Sequence, residues 1–209
     1  MTKTRLIGIA GASGSGKTLV ARNIAKRLGS DKVVIIQEDS FYRDLSHMPL
    51  EMRASQNFDH PDAFDHDLLA AHMQQLLNGH TVQCPMYDYI THNRRKETKT
   101  VVPHRLIILE GILVLSTPRL RDLMHMRVFV DTALDICCTR RLKRDMSERG
   151  RTLDSVCQQF EDTVRPMYLQ HIEPSKAYAD ILIPKGGKNT VAMDLLIAEI
   201  NMMLHKTDQ

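Results

Sequence analysis

The sequence predicts an α/β fold with a doubly wound, mainly parallel sheet of about five strands. Short runs that are apolar on both faces alternate with amphipathic stretches, which is typical of a sheet covered by helices on both sides. The predicted strands lie at 6–10, 33–36, 106–109, 128–130 and 181–183. Helical periodicity indicates helices at 18–28, 65–78, 117–124, 133–147, 152–170 and 189–204.

The bulk composition is that of an ordinary globular protein. The chain has 209 residues, 43% of them hydrophobic and 25% charged, so we expect a single domain over 1–209. A net charge of +3 gives no reason to expect nucleic acid or a membrane as partner. The four cysteines lack CxxC spacing, and no N-terminal apolar run approaches the ~20 residues of a membrane span. We therefore expect reduced thiols and a cytoplasmic location.

Two polar segments interrupt the alternation of strands and helices. They cover 41–61 and 82–103 and are rich in Asp, His, Asn and Tyr. Long irregular segments in a compact domain are often functional. We expect the segment at 82–103 to be a small irregular or β-structured insertion that binds substrate.

A glycine-rich segment between the first strand and the first helix matches the pattern GxxxxGK(S/T). It comprises Gly11, Ala12, Ser13, Gly14, Ser15, Gly16, Lys17 and Thr18. Glycines let successive backbone N–H groups point at phosphate oxygens, and the helix N-terminus adds positive potential. Lys17 is expected to reach the β- and γ-phosphates, and Thr18 to offer its hydroxyl to Mg²⁺. A glycine-rich turn without a ligand is the alternative, but it does not explain Lys and Thr at these offsets.

An acidic residue, Glu110, follows the predicted strand at 106–109. In phosphate-loop folds, a carboxylate at the end of a neighbouring strand can orient Mg²⁺ or one of its waters. We expect Glu110 to have this role. The alternative is a strand-end acid that faces solvent.

The phosphate loop alone does not choose a reaction, because GTPases, ATPases and small-molecule kinases share it. The guanine-reading motif Asn-Lys-x-Asp is missing from the sequence, which disfavours a GTPase. Asp39 follows the second strand, at the edge where doubly wound sheets bind ligands. A carboxylate there can align an acceptor hydroxyl and take its proton during phosphoryl transfer, so Asp39 is our candidate base. An Asp that caps a turn is the alternative.

A basic segment at 139–151 carries six cations on and after a predicted helix. They are Arg140, Arg141, Lys143, Arg144, Arg149 and Arg151. Phosphoryl transfer needs such cations, because charge spreads over the equatorial oxygens in the transition state. The segment is therefore predicted to form a lid that closes over the phosphates. A solvated helix face or a nucleic-acid surface are the alternatives.

With these motifs in place, nearly the whole chain resembles the uridine kinase (uridine/cytidine kinase) family, particularly its bacterial type. The resemblance is carried by NFDHPDAFD at 57–65, YDYITH at 87–92, LEGIL at 109–113, KRDMSERGR at 143–151 and YADILIP at 178–184. Bacterial members often have Ala where this chain has Gly14, and many have Ser where it has Thr18.

The resemblance implies roles for individual residues. Asp39 falls at the catalytic base and Asp59 at an acid that binds the ribose hydroxyls. Tyr42, Phe58, Tyr87 and His92 fall where the family packs and reads the pyrimidine. Arg141, Arg144, Arg149, Arg151 and Gln159 match lid and substrate positions; Lys17, Arg144 and Arg149 are expected to act in catalysis. Without the resemblance, Phe58 and Tyr87 would be taken for core aromatics and His92 for an ordinary loop histidine.

The resemblance also implies an activity, phosphorylation of uridine and cytidine to the 5′-monophosphate with Mg²⁺ and ATP or GTP. It further implies pyrimidine salvage, a homotetramer and feedback inhibition by pyrimidine nucleotides. Two other hypotheses remain open. One keeps the kinase but gives it a sugar-phosphate acceptor, as in phosphoribulokinases; the other is a nucleotide-gated module that binds RNA or a protein.

Overall fold

The computed structural model describes residues 3–29 and 31–205 and contains seven strands in these ranges. They are β1 (Arg5–Ala10), β2 (Val33–Gln37), β3 (Val82–Asp88), β4 (Asn93–Val101), β5 (Leu106–Glu110), β6 (Met126–Asp131) and β7 (Ile181–Pro184). Five of them form a parallel sheet in the order β2-β5-β1-β6-β7. The predicted fold class and all five predicted strands are thereby confirmed. β3 and β4 pair separately as an antiparallel hairpin, so the polar segment at 82–103 is β-structured.

The helices flank this sheet. They are α1 (Lys17–Leu28), α2 (Leu50–Ala54), α3 (His66–Leu77), α4 (Pro118–Arg121), α5 (Leu134–Glu148), α6 (Leu153–Gln159), α7 (Arg165–Met167), α8 (Glu173–Ser175) and α9 (Thr190–His205). α2 and α8 lie outside the predicted helices. No helix in the described ranges is long and apolar enough to cross a membrane.

The long helix predicted at 152–170 is wrong in its detail. After α6 the backbone makes two π-helical turns, Phe160–Val164 and Tyr168–Ile172, on either side of α7. Pro166 and Pro174 lie in this stretch and cannot donate the amide hydrogen bond that a regular α-helical turn uses. The segment therefore winds more widely than its sequence periodicity indicated.

Alternate residues of each central strand enter two different cores. On one face of the sheet, Leu6 and Ile107 pack with α3 and its surroundings. On the other face, Ile7 and Ile108 pack with α1 and α9. Because successive side chains of a strand point to opposite faces, a continuous apolar strand serves both cores.

The register of the sheet aligns the carboxyl ends of three strands. Glu110 at the end of β5 is paired with Ile9 of β1 and with Gln37 of β2. The segments that follow these strands are the phosphate loop, the turn that contains Asp39, and the Glu110–Gly111 corner. They therefore emerge side by side at one edge of the sheet.

A fully buried carboxylate, Glu38, links the end of β2 to the segment after β5. Its Oε2 accepts a hydrogen bond from the backbone N–H of Leu113 at 2.9 Å, and its Oε1 lies 2.9 Å from His66 Nε2. A Cβ on Gly111 would lie 2.2 Å from Oε2, so only glycine leaves room for the carboxylate. Glu38 thus fixes the spacing between the neighbouring Asp39 and Glu110.

We expect Glu38→Leu to lower the free energy of unfolding by about 2–4 kcal/mol, because it leaves the buried Leu113 N–H without an acceptor and removes the partner of His66 Nε2. Glu38→Gln keeps the shape and both polar positions, and should cost less than about 1 kcal/mol. Urea unfolding of the two variants beside the parent protein measures the difference. Equal midpoints for Leu and Gln would show that the buried hydrogen bonds do not hold this corner.

Candidate active site

The phosphate loop joins β1 to α1 and packs closely on α5. Gly14 has φ +85, and a Cβ at this position would lie 2.4 Å from the carbonyl oxygen of Cys137. Both the left-handed backbone and this approach require glycine here. Gly11, Ala12 and Ser15 are buried within the loop.

Lys17 is buried at the start of α1, and its Nζ donates to the carbonyl of Ala12 at 3.0 Å. Burial lowers the pKa of Lys17, and the nearby Glu110 and Asp39 carboxylates act in the opposite direction. The ammonium group therefore lies between the loop backbone and two acids. An anionic phosphate at this place would compensate for its desolvation.

Thr18 and Glu110 form a direct contact at the base of the loop. Thr18 Oγ1 donates to Glu110 Oε1 at 2.9 Å, and Gln37 Nε2 donates to the same oxygen at 3.2 Å. Glu110 is only 6% exposed, so the alternative of a solvent-facing acid is wrong, and burial raises the pKa of its carboxyl.

These groups fit Mg²⁺, which proteins usually hold through one or two carboxylates together with substrate phosphates. A hydroxyl and a carboxylate oxygen lie next to each other at Thr18 and Glu110. Within 3–29 and 31–205, no cluster of three or more His, Cys, Asp or Glu forms a complete protein cage for a metal. Thr18 and Glu110 can therefore supply only part of the ligands that a Mg²⁺ ion needs.

Two cavities meet above the carboxyl ends of the strands. One of about 310 Å³ surrounds the phosphate loop, Thr18 and Glu110. The other, of about 280 Å³, contains every residue that was predicted to bind substrate. Both cavities are lined by Ser13, Asp39, Tyr89, Ile112, Arg144 and Arg149. Asp39 thus lies where the cavity around the phosphate loop meets the second cavity.

Aromatic rings form one side of the second cavity. The rings of Tyr42 and Phe58 meet edge to face with centroids 5.2 Å apart, and Phe58 stacks on His92 at 5.5 Å. Tyr87 packs against Tyr42 at 4.9 Å. Phe58 and Tyr87 are only partly buried. They pack against the hydrophobic core on one side and line the cavity on the other.

Polar groups complete this cavity. Asp59 is 4% exposed and lies 3.9 Å from Arg141; burial raises the pKa of the Asp59 carboxyl, and Arg141 opposes that effect. Burial, together with the charges of Arg151 and Arg149, lowers the pKa of His92. His92 therefore presents a neutral imidazole at pH 7.

A single buried carboxylate, Asp145 of α5, forms ion pairs with three arginines of the basic segment. Its oxygens lie 3.5 Å from Arg141 Nε, 2.8 Å from Arg144 Nε and 3.4 Å from Arg149 Nη1. The backbone N–H of Arg151 donates to the Asp145 carbonyl at 3.1 Å, after a turn at Gly150. For these three guanidinium groups, the interpretation as a solvated helix face is wrong.

The same arginines connect the phosphate loop to α6. Arg141 donates to Ser13 Oγ and to Gln159 Oε1, both at 2.9 Å. Arg151 also donates to Gln159 Oε1. The basic segment, the loop and Gln159 therefore form one connected network.

Sequence reasoning assigned no role to two residues of this arrangement. Tyr89 donates to Asp39 Oδ2 at 2.9 Å, and Asp145 holds the arginines. Arg140, one of the cations of the predicted lid, donates to the loop carbonyl of Ser15 at 3.2 Å. The sequence contained a signal for both Tyr89 and Asp145. Tyr89 lies two residues after Tyr87, in the turn that follows β3, and Asp145 follows Arg141 by four residues on a helix.

Sequence similarity relates this chain to a known family. The profile of the phosphoribulokinase / uridine kinase family matches residues 6–192. A curated uridine kinase of Shewanella amazonensis is 54% identical over 205 residues, covering 96% of this chain and 97% of the relative. The uridine kinase of Escherichia coli K12 is 53% identical over 200 residues, covering 94% of each chain.

Solved structures of lower identity share the fold. Phosphoribulokinase from Rhodobacter spheroides superposes with a TM-score of 0.64 at 16% identity, over 88% of this chain and 71% of the other. D-glycerate 3-kinase from Cryptococcus neoformans gives a TM-score of 0.62 at 19% identity, over 84% and 81%. The profile match and the sequence identity of the bacterial relatives together show that the chain belongs to the phosphoribulokinase/uridine kinase family.

Proposed function

We propose that the protein transfers the γ-phosphoryl group of ATP or GTP, as its Mg²⁺ complex, to the 5′-hydroxyl of uridine and cytidine. One observation carries this proposal: Asp39 lies in the wall shared by a phosphate-loop cavity and an aromatic-walled cavity. The relatives at 53–54% identity are named uridine kinases, which supports the same acceptor here.

The donor triphosphate lies in the loop cavity, where backbone N–H groups and Lys17 bind its phosphate oxygens. Thr18 and Glu110, which are 2.9 Å apart, would hold the Mg²⁺ or its waters. When bound, the metal would supply positive charge that stabilises the phosphate oxygens. Because Asp39 lines the loop cavity as well as the second cavity, its carboxylate lies within reach of both ligands.

Asp39 aligns the acceptor hydroxyl and receives its proton. The new bond joins the acceptor 5′-oxygen to the γ-phosphorus, the bond to the β-phosphate oxygen breaks, and the nucleoside diphosphate leaves. Arg144 and Arg149, which line both cavities, neutralise the oxygens of the transferring group. Closure of the basic segment as a lid excludes water, which would otherwise compete as acceptor.

The acceptor cavity suits a pyrimidine ribonucleoside. The rings of Tyr42, Phe58 and Tyr87 provide flat apolar walls for a planar base, and His92 provides a polar group. Asp59 can accept hydrogen bonds from both hydroxyls of a ribose. The amide and guanidinium groups of Gln159, Arg141 and Arg151 complete the polar side.

A sugar-phosphate acceptor is the second candidate, because Arg141, Arg144, Arg149 and Arg151 all line the acceptor cavity. Three of these arginines are already neutralised in part by Asp145, and the opposite wall is aromatic, so we favour the nucleoside. Because these four arginines line the cavity rather than form a convex surface, they also disfavour an RNA-binding face. The resemblance supports a cytoplasmic homotetramer with a role in pyrimidine salvage and inhibition by pyrimidine nucleotides.

The function is tested by a coupled assay of the purified protein with uridine, cytidine and ribulose 5-phosphate, each with ATP and with GTP. We expect Mg²⁺-dependent nucleoside diphosphate release with both nucleosides, and kcat/KM for ribulose 5-phosphate lower by at least about 100-fold. Preference for the sugar phosphate would reject the nucleoside assignment.

Asp39→Asn should retain nucleotide binding and lose turnover, because an amide cannot take the acceptor proton. We expect kcat to fall about 10²–10⁴-fold while the Kd for ATP changes little. Asp62→Asn is the matched control, since this carboxylate is 93% exposed and lies outside both cavities. If Asp39→Asn phosphorylates uridine at the parent rate, the base is another group.

The KM for uridine should depend on pH through His92. Because burial and the nearby arginines lower the pKa of His92, its ring is neutral at pH 7 and gains a proton only below the ordinary histidine range. KM should therefore be constant between pH 8 and about 6.5 and rise at lower pH. His92→Asn should show a raised KM at pH 7 without the further rise in acid. If the KM of this variant still rises at low pH as in the parent, the effect belongs to another titrating group.

A further inference from the structure

Tyr89 contacts both Asp39, the candidate base, and Arg149 of the basic segment. Its hydroxyl donates to Asp39 Oδ2 at 2.9 Å. The guanidinium carbon of Arg149 lies over the Tyr89 ring, 4.3 Å from its centroid. Tyr89 also belongs to the six residues that line both cavities. One side chain thus joins the candidate base to the basic segment.

The tip of the β3–β4 hairpin holds the Tyr89 ring in place. Asp88 Oδ1 accepts the N–H of Ile90 at 2.9 Å and closes the turn, and the Tyr87 ring meets the Tyr89 ring edge to face at 5.2 Å. Tyr89 is 39% exposed as a whole, but desolvation of its hydroxyl and the charge of the Asp39 carboxylate raise its pKa far above the ordinary value. The phenol therefore keeps its proton and acts as a donor.

The hydrogen bond fixes the rotation of the Asp39 carboxylate. Across 3–29 and 31–205, it is the one hydrogen bond that the Asp39 side chain makes. A carboxylate has two acceptor oxygens, so occupation of Oδ2 by Tyr89 leaves Oδ1 for the acceptor hydroxyl. Without the phenol, the carboxylate could rotate freely about its Cβ–Cγ bond.

The ring has a separate effect on Arg149. This guanidinium is shared between Asp145, 3.4 Å from Nη1, and the face of Tyr89. An aromatic face attracts a cation without using its N–H donors, which stay available for phosphate oxygens. The ring therefore holds Arg149 at the cavity wall in a form that can still bind an anion.

We infer that Tyr89 is a positioning residue that orients Asp39 through its hydroxyl and seats Arg149 on its ring, so that base and lid cation come into place together. This inference rests on the proposed function for Asp39 and Arg149. Tyr89 transfers no proton in this role. Its hydroxyl contacts Asp39 and its ring contacts Arg149, so substitution can remove the hydroxyl alone or the ring as well.

Tyr89→Phe removes the hydroxyl and keeps the ring. We expect kcat with uridine to fall about tenfold, which corresponds to about 1.4 kcal/mol of transition-state stabilisation, while KM changes less than about threefold. Tyr178→Phe is the matched control, because its ring also carries an arginine, Arg121 at 3.8 Å, but lies outside both cavities. A Tyr89→Phe variant with the parent kcat would overturn the role of the hydroxyl.

Tyr89→Leu removes the ring as well and should release Arg149. We expect kcat to fall further in Tyr89→Leu than in Tyr89→Phe. In a background that already carries Arg149→Met, however, Tyr89→Leu and Tyr89→Phe should have the same kcat, because no guanidinium remains for the ring to hold. If the fold losses of kcat from removing the ring and from removing the guanidinium multiply in the double variant, the ring does not act through Arg149.

A third measurement does not depend on the acceptor. Limited digestion with trypsin should cleave the bond between Arg149 and Gly150 faster in Tyr89→Leu than in the parent, Tyr89→Phe or Tyr178→Leu. If the parent protein phosphorylates none of the nucleosides yet shows this pattern, the proposed function fails and the seating of Arg149 stands. Equal cleavage rates in all four proteins would refute the seating itself.

Discussion

The pairing of β5 with both β1 and β2 in a single register is the constraint on which the site depends. Because Glu110 is level with Ile9 and Gln37, the loop after β1 and the turn after β2 begin at the same height. Parallel strands carry their following segments to one edge, so the register of the sheet brings three separate parts of the sequence together there. Glu38 then fixes the lateral spacing through two buried hydrogen bonds.

Charge in the site is arranged as an excess of cations over acids. Asp145 is fully buried and faces Arg141, Arg144 and Arg149, so one negative charge is shared by three positive ones. A buried charge without a partner costs several kcal/mol, which makes the carboxylate necessary for any stable packing of these arginines. The cations that remain uncompensated can bind a polyphosphate, whose negative charge completes the balance.

Much of the fold follows from local patterns, and its exceptions have physical causes. The five sheet strands are apolar on both faces, so their signal is strong in the sequence. β4 gave no such signal, because its side chains from Arg94 to Thr100 are largely exposed and polar. α2 has five residues and buries none of them, which leaves no helical periodicity to detect. The two π-helical turns arise where proline interrupts regular helix geometry.

Motif spacing and the family resemblance name most of the residues that line the two cavities, but not how those residues are connected. Motif spacing selects Lys17, Asp39 and the arginines, because their chemistry requires those residue types near a phosphate. Asp39 and Tyr89 are 50 residues apart along the chain, and no periodicity relates them. Their hydrogen bond results from how the hairpin folds over the sheet edge, which depends on packing rather than on local sequence.

The close approach of Gly14 to the Cys137 carbonyl ties the phosphate loop to the position of α5. A Cβ at position 14 would lie 2.4 Å from that carbonyl oxygen, so an added methyl group cannot be accommodated with α5 at its present distance. The loop residue and the start of the helix are therefore mutually dependent: a larger residue at position 14 would require a compensating shift of α5.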